Sequence, residues 1–125
     1  MAAELNHTIV WSSDPAKSAA FLADVLGRPK PTRFYHFHVV KLDNGVSMDF
    51  CEGDGKISMQ HYAFLIGEDD FDQVFARVRA RDLLYWADPA RSKPNEINHW
   101  GNGRGFYFED PDGHFLEVLT HPYEE

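Results

Sequence analysis

The chain has a single cysteine, no basic cluster and no long apolar stretch, and each of these absences excludes a class of protein. Cys51 alone cannot form an internal disulfide, which favours a reducing compartment. No apolar segment approaches the roughly 20 residues that a membrane-spanning helix requires. The first twenty residues also lack the basic start and apolar stretch of a secretory signal. We therefore expect a soluble, cytoplasmic protein with no membrane partner.

The charge balance excludes a second class of partner. Asp and Glu number 20 against 12 Lys and Arg, which gives a formal net charge of −8. Because nucleic acids are bound largely through their phosphates, this charge opposes such binding, and we predict no nucleic-acid partner. The 125 residues are 43% hydrophobic and 14% aromatic, which is enough to build the core of one domain spanning 1–125.

The first half of the chain is typical of a strand, a helix and then two or three antiparallel strands. Asp14 followed by Pro15 is a strong helix start, and Gly27 ends the apolar helical pattern. The turn sequence Asp43-Asn44-Gly45 separates two strand-like segments. The pattern predicts strands at 4–11, 34–42 and 46–51 and a helix at 16–26.

The second half repeats this order, so we predict an α+β fold of two modules at about 4–52 and 57–120. The pattern predicts strands at 57–66, 83–86, 105–109 and 114–120, a helix at 68–81 and a long polar loop at 87–103. Histidine occurs on the first strand of each half, at His7 and His61. An acid follows a turn glycine by four residues on the last strand of each half, at Asp49 and Glu117. Such repetition predicts related roles for these positions.

Glu117 is the most informative of the four. Its strand is apolar on both faces, which indicates burial, and burying an ionised carboxylate costs at least several kcal/mol unless a cation compensates it. The cation could be a metal ion shared with His7 and His61, or it could be Arg104 or a neighbouring histidine. Two histidines and one carboxylate form the ligand set of non-haem iron oxygenases, and the same set can bind Zn or Mn.

Three segments carry a resemblance to a known family. These are Leu5-Asn6-His7, the Asp14-Pro15 helix start with its Ala/Phe/Leu helix, and the run from Gly105 through Pro111-Asp112-Gly113 to Glu117. They resemble the vicinal oxygen chelate superfamily of glyoxalases, bleomycin-resistance proteins and extradiol dioxygenases, over about 5–119. The resemblance implies two βαβββ modules in a cupped, mostly antiparallel sheet with helices on the outer face. It also implies a divalent metal ion (Fe, Mn, Zn or Ni) held by His7, His61 and Glu117.

The resemblance also implies a homodimer, in which either each chain closes its own metal site or the modules are exchanged between chains. Glyoxalase I-like members place a fourth ligand at the position of Asp49, whereas three-ligand members do not, and we favour a pocket-lining, substrate-binding role for it. Tyr107 is a candidate catalytic residue that contacts the substrate. His38 is a candidate proton donor, although we favour a solvent-facing position for it. Arg104 is a candidate anion-binding residue, and Trp100 lies in the loop that could cover the site.

These expectations favour a metal-dependent enzyme that acts on a small substrate chelating the metal through adjacent oxygens. The three-ligand set directs the prediction toward extradiol-dioxygenase-like chemistry. A glyoxalase I-like lyase or isomerase, with Asp49 as fourth ligand, is one alternative. Another is a metal-free drug-binding protein of the bleomycin-resistance type. Thiol transfer to an antibiotic is a further possibility, for which the sequence shows no convincing potassium- or thiol-binding loop.

Overall fold

The computed structural model describes residues 2–123, which fold as two compact units that meet in sequence between Ser58 and Met59. Unit one contains β1 His7–Ser12, α1 Pro15–Leu26, β2 Thr32–Phe34, β3 Phe37–Lys41 and β4 Ser47–Glu52. Unit two contains β5 His61–Leu65, α2 Glu68–Ala80, β6 Tyr85–Trp86, β7 Gly105–Glu109 and β8 Phe115–Leu119. A 3₁₀ turn spans Trp100–Asn102. Neither described helix is long and apolar enough to cross a membrane.

The two units have the same topology. Their four-stranded sheets have the orders β1-β4-β3-β2 and β5-β8-β7-β6. In each unit the first and last strands pair in parallel, and the remaining pairs are antiparallel. The prediction of an α+β fold built from two βαβββ modules is therefore confirmed.

Local sequence signals fix α1 at both ends. The Asp14 side chain accepts a hydrogen bond from the Lys17 amide at 3.2 Å, and Pro15 occupies the first helical position, where no amide donor is needed. Gly27 ends the helix at φ 68°, a left-handed conformation that glycine adopts without a steric cost. The buried face of α1 then packs against β1, β3 and β4.

An aromatic core joins α2 to the sheet of unit two. Phe106 is fully buried, and its ring meets the rings of Phe71 and Phe75 at centroid distances of 5.6 and 5.1 Å. Because side chains alternate along a strand, this packing directs Phe106 and Phe108 of β7 toward α2 and Tyr107 away from it. We call the two sides of each sheet the helix face and the helix-free face.

One predicted strand is wrong. The predicted strand 34–42 begins at the last residue of β2 and continues through a turn into β3, and the two strands pair as a hairpin with Phe34 opposite Phe37. The chain reverses at Tyr35 and His36, and Tyr35 has φ 55°, which is uncommon outside glycine and asparagine. A two-residue turn without Gly, Asn or Asp gives no sequence signal. The aromatic composition of 34–42 therefore predicts one continuous strand.

Phe106→Ala should lower the free energy of unfolding by about 3–5 kcal/mol, since it removes a fully buried ring from this core. Phe34→Ala is the matched control, because the Phe34 side chain is 61% exposed and its loss should change stability by only about 0.5 kcal/mol. Urea denaturation of both variants measures the difference. Equal losses would contradict the assignment of the core.

Candidate metal centre

Strand register gathers four side chains on the helix-free face of unit two. The parallel pairing of β5 with β8 places His61 opposite Phe115 and Ala63 opposite Glu117. The antiparallel pairing of β7 with β8 places Tyr107 opposite Glu117. His61, Tyr107, Phe115 and Glu117 therefore lie together, whereas Leu116 and Val118 point toward α2.

Glu117 is buried with its hydrogen-bonding capacity unmet. Its side chain is 1% exposed, and neither carboxylate oxygen accepts a hydrogen bond from the residues that the structure describes. His61 Nε2 lies 3.2 Å from Oε1, close enough for an ion pair but without hydrogen-bond geometry. Burial raises the pKa of Glu117, and the charge of His61 opposes that rise. A buried carboxylate whose oxygens accept no hydrogen bond is stabilised either by a nearby cation or by taking up a proton.

The orientation of His61 fits a metal ligand. Its Nδ1 lies 2.9 Å from the backbone oxygen of Phe115, and a carbonyl oxygen can only accept, so Nδ1 carries the proton. In the neutral ring Nε2 then presents a lone pair toward the Glu117 carboxylate. Two lone pairs face each other favourably only with a proton or a cation between them. The hydrogen bond through Nδ1 that fixes a ligating histidine is a regular feature of metal sites.

His7 shows a comparable arrangement in unit one. Its Nδ1 lies 2.7 Å from Asn6 Oδ1, which leaves Nε2 as the nitrogen available to a ligand. The β1–β4 pairing places His7 opposite Ser47 and Ile9 opposite Asp49. His7 and Asp49 both line a depression of about 440 Å³ on this helix-free face. Asp49 Oδ1 already accepts a hydrogen bond from the Ser47 hydroxyl at 2.9 Å, so its demand is partly met.

The structure brings together two of the three predicted ligands. His61 and Glu117 lie side by side in unit two. His7 belongs to unit one. Across residues 2–123, no three His, Cys, Asp or Glu side chains form a group that could hold a metal ion. We call the adjacent His61–Glu117 pair the half-site; its role in metal binding and the contribution of His7 both stay predictions.

Tyr107 and Trp100 lie beside this half-site. The Tyr107 ring stacks on Phe115 at 5.2 Å and on His61 at 5.9 Å, and the Trp100 ring meets it edge-on at 6.2 Å. Burial is the main cause that raises the pKa of Tyr107 well above its usual range, and the charge of Glu117 is the second. The phenol is therefore neutral at physiological pH and can donate its proton in a hydrogen bond.

Two predicted site residues are placed elsewhere. The Arg104 guanidinium donates to Glu68 Oε1 and Asp72 Oδ1, at 2.9 and 2.8 Å, and lies over the Phe71 ring. Its charge is satisfied by α2 on the helix side, which argues against the predicted anion-binding role. His38 pairs with Phe50 in register, and the β3–β4 pairing sets it on the face opposite Asp49. That position argues against the predicted role as proton donor.

One residue near the half-site was missed by the sequence reasoning. Arg91 belongs to the long polar loop, and its guanidinium carbon lies 4.0 Å from the centre of the Phe115 ring. A single arginine in a polar loop has no periodicity to distinguish it, so no sequence signal could have found it.

Comparison with known proteins assigns the family. Residues 4–118 match the profile of the Glyoxalase/Bleomycin resistance protein/Dioxygenase superfamily. The chain belongs to this superfamily. The structure is similar to that of Oxidase ChaP-H1, with a TM-score of 0.97 and 54% identity, covering 99% of this chain and 100% of that one.

Two curated relatives are more distant. Glutathione transferase FosA of Serratia marcescens is 31% identical over 124 residues, which cover 94% of this chain and 81% of the relative. Metallothiol transferase FosB of Lysinibacillus sphaericus is 29% identical over 121 residues, which cover 93% and 81% respectively.

The pKa of Glu117 predicts a pH-dependent stability in the metal-free protein. Burial raises the folded-state pKa above the ordinary 4.5, so the folded state binds more protons in that window and the free energy of unfolding falls as pH rises through it. Glu117→Gln removes the charge and should stabilise the metal-free protein at pH 7–8 by roughly 1–3 kcal/mol. The gain should shrink as the pH falls to 4.5 and below.

Urea denaturation in the presence of a chelator, at a series of pH values, measures this difference. Glu52→Gln, at an exposed position on β4, serves as the control and should show no such trend. A Glu117→Gln variant that is less stable than the parent at neutral pH would contradict the burial of an unmet charge.

Proposed function

We propose that the protein is a metal-dependent enzyme acting on a small substrate that offers two adjacent oxygens. The observation that carries this proposal is the buried, unsatisfied Glu117 carboxylate facing Nε2 of a histidine whose Nδ1 is fixed by a backbone carbonyl. His61 and Glu117 would hold the ion, with His7 of the same chain or of a second copy in a homodimer as third ligand. A divalent ion there would supply Lewis-acid stabilisation of negative charge on the substrate oxygens.

The surrounding residues position the substrate and exclude water. The Phe115 carbonyl fixes the tautomer of His61, while Trp86, Tyr107 and Phe115 form a buried aromatic cluster next to the pair. The neutral phenol of Tyr107, opposite Glu117 in register, is placed to donate a hydrogen bond to a substrate oxygen. The low-dielectric surroundings strengthen such a hydrogen bond relative to one in water.

The reaction we favour is an oxidation of an aromatic diol, in line with extradiol-dioxygenase-like chemistry. Its support is the 54% identity to Oxidase ChaP-H1 over nearly the whole chain, together with the His/His/Glu set. A second candidate is transfer of a thiol to a small electrophile, which the 31% identity to Glutathione transferase FosA favours. The name of the FosB relative, metallothiol transferase, indicates a metal in that protein. It therefore supports a metal here for the oxidation and for the thiol transfer alike.

Metal analysis of the protein purified without a histidine tag tests the proposed centre. We expect roughly one equivalent of divalent metal per chain, lost in His61→Ala and in Glu117→Ala, because each removes a ligand. His38→Ala is the matched control, since that histidine lies on the opposite face of its sheet and should leave metal content unchanged. Failure to bind Fe, Mn, Zn or Ni after their addition would refute the enzyme and favour a metal-free drug-binding protein.

Oxygen uptake with a panel of catechols tests the reaction class. The Fe- or Mn-loaded protein should consume O₂ with at least one catechol, and Glu117→Ala should abolish the uptake. Loss of glutathione in the presence of an epoxide, measured in parallel, tests the thiol-transfer alternative. Metal binding with no oxygen uptake but with glutathione consumption would contradict the oxidase proposal and support the transferase.

A further inference from the structure

The loop after β6 is built to hold one residue in place. The Asp88 carboxylate accepts hydrogen bonds from the Ser92 and Lys93 amides, at 3.0 and 2.9 Å, and from the Ser92 hydroxyl at 2.5 Å. The Ala87 amide closes the loop on the Lys93 carbonyl at 3.0 Å. At its tip Arg91 has φ 59°, an uncommon and strained conformation for arginine. The loop thus fixes the backbone from which this side chain projects.

The Arg91 side chain folds onto the aromatic cluster beside the half-site. Its guanidinium carbon lies 4.0 Å from the centre of the Phe115 ring and 5.1 Å from that of Trp86. One terminal nitrogen donates to Glu109 Oε2 at 2.8 Å. A guanidinium offers five N–H donors in one plane, and the side chain is still 37% exposed. Donors therefore remain available to a ligand.

Strand register places this guanidinium next to the proposed metal ligands. Phe115, over which Arg91 lies, is paired with His61 on one side and with Glu109 on the other. The ring of Phe115 is 6.0 Å from that of His61, so one side chain separates the guanidinium from the imidazole. A substrate held at His61 and Glu117 would therefore reach Arg91 by extending past the Phe115 ring.

The electrostatics of this face require such a cation if the substrate is acidic. Glu109 and Glu117 lie on the helix-free face, and the chain carries a net charge of −8, so an anion would be repelled without local compensation. Guanidinium is suited to this task because its planar donors match a carboxylate and its face stacks on aromatic rings.

We propose that Arg91 binds a carboxylate of the substrate, so that the substrate class is an aromatic diol bearing an acidic group. This inference rests on the proposed function, because the diol oxygens are taken to be held at His61 and Glu117. Arg91 thus takes the anion-binding role that the sequence suggested for Arg104. The loop that the Asp88 hydrogen bonds close holds the backbone of Arg91 in place. Glu109 orients the Arg91 guanidinium and neutralises part of its charge.

Binding of two isosteric ligands tests the inference. The Mn-loaded protein is titrated anaerobically with 3,4-dihydroxybenzoate and with the neutral 3,4-dihydroxybenzamide, by calorimetry. The wild type should bind the carboxylate roughly tenfold more tightly than the amide, as expected for a charge-assisted pair. Arg91→Gln and Arg91→Met should abolish this preference by weakening the carboxylate alone. Methionine retains an apolar cover over Phe115, so Arg91→Met separates lost charge from lost packing.

Two further variants sharpen the result. Arg79→Gln is the matched control, since the Arg79 guanidinium lies over Phe75 in the α2 core region and should not affect either ligand. Glu109→Gln removes the partner that holds and partly neutralises Arg91, and should tighten binding of the carboxylate several-fold while leaving the amide unchanged. If Arg91 only supported the Phe115 ring, the Arg91 variants would not weaken carboxylate binding while Glu109→Gln tightens it.

The outcomes separate this inference from the proposed function. Equal affinity of the wild type for the two ligands, no saturable binding of the carboxylate, or equal weakening of both ligands by Arg91→Met would each overturn the role of Arg91. Metal binding and oxygen uptake would be unaffected by that result. Conversely, a protein that binds no divalent metal would refute the proposed function, whereas a carboxylate preference lost in Arg91→Met would still support the role of Arg91.

Discussion

The candidate site depends on one constraint, the burial of the Glu117 carboxylate on a strand that is covered on both faces. Leu116 and Val118 anchor β8 on the helix side, so the strand cannot rotate to expose Glu117 without losing its core contacts. The carboxylate accepts no hydrogen bond of good geometry within the described residues, and the His61 imidazole and the phenols of Tyr107 and Tyr123 lie near it. A cation at this position would compensate the buried charge, and this is the role proposed for the metal ion.

The comparison of the two units shows why the equivalent acids differ. Asp49 and Glu117 occupy corresponding positions on the last strand of each module, and each strand pairs in parallel with a histidine-bearing first strand. Asp49 is partly exposed and accepts a hydrogen bond from the Ser47 hydroxyl. Glu117 has Phe115 in place of Ser47, and an aromatic side chain offers no such donor. Of the two repeated acids, Asp49 therefore has a hydrogen-bond donor beside it, whereas the Glu117 oxygens accept no hydrogen bond within the described residues.

The position of Phe115 links the ligand chemistry to the substrate pocket. Its backbone oxygen fixes the proton of His61, and its ring carries both the stacked Tyr107 and the guanidinium of Arg91. A substitution at this residue would disturb both His61, a proposed metal ligand, and the proposed anion site at Arg91.

Much of the fold was predictable because its signals are local. Asp14, Pro15 and Gly27 fix α1 through their own backbone requirements, and the histidine and acid positions of each module follow from an internal repeat. His61 and Glu117 could be named from the sequence because strand periodicity and burial cost depend on neighbouring residues. The hairpin at Tyr35 was not predictable, since its left-handed conformation has no glycine or asparagine to indicate it.

Only the tertiary structure decided which face each side chain occupies and what it contacts. His38 falls on the helix face because the β2–β3 turn sets the register of its strand, and Arg104 is held by acids of α2 that are distant in sequence. Arg91 reaches the half-site because its loop folds back over β8. Register and loop closure depend on contacts between residues far apart in the chain, and for that reason the sequence by itself determined which residues are candidate ligands but not the surroundings in which they lie.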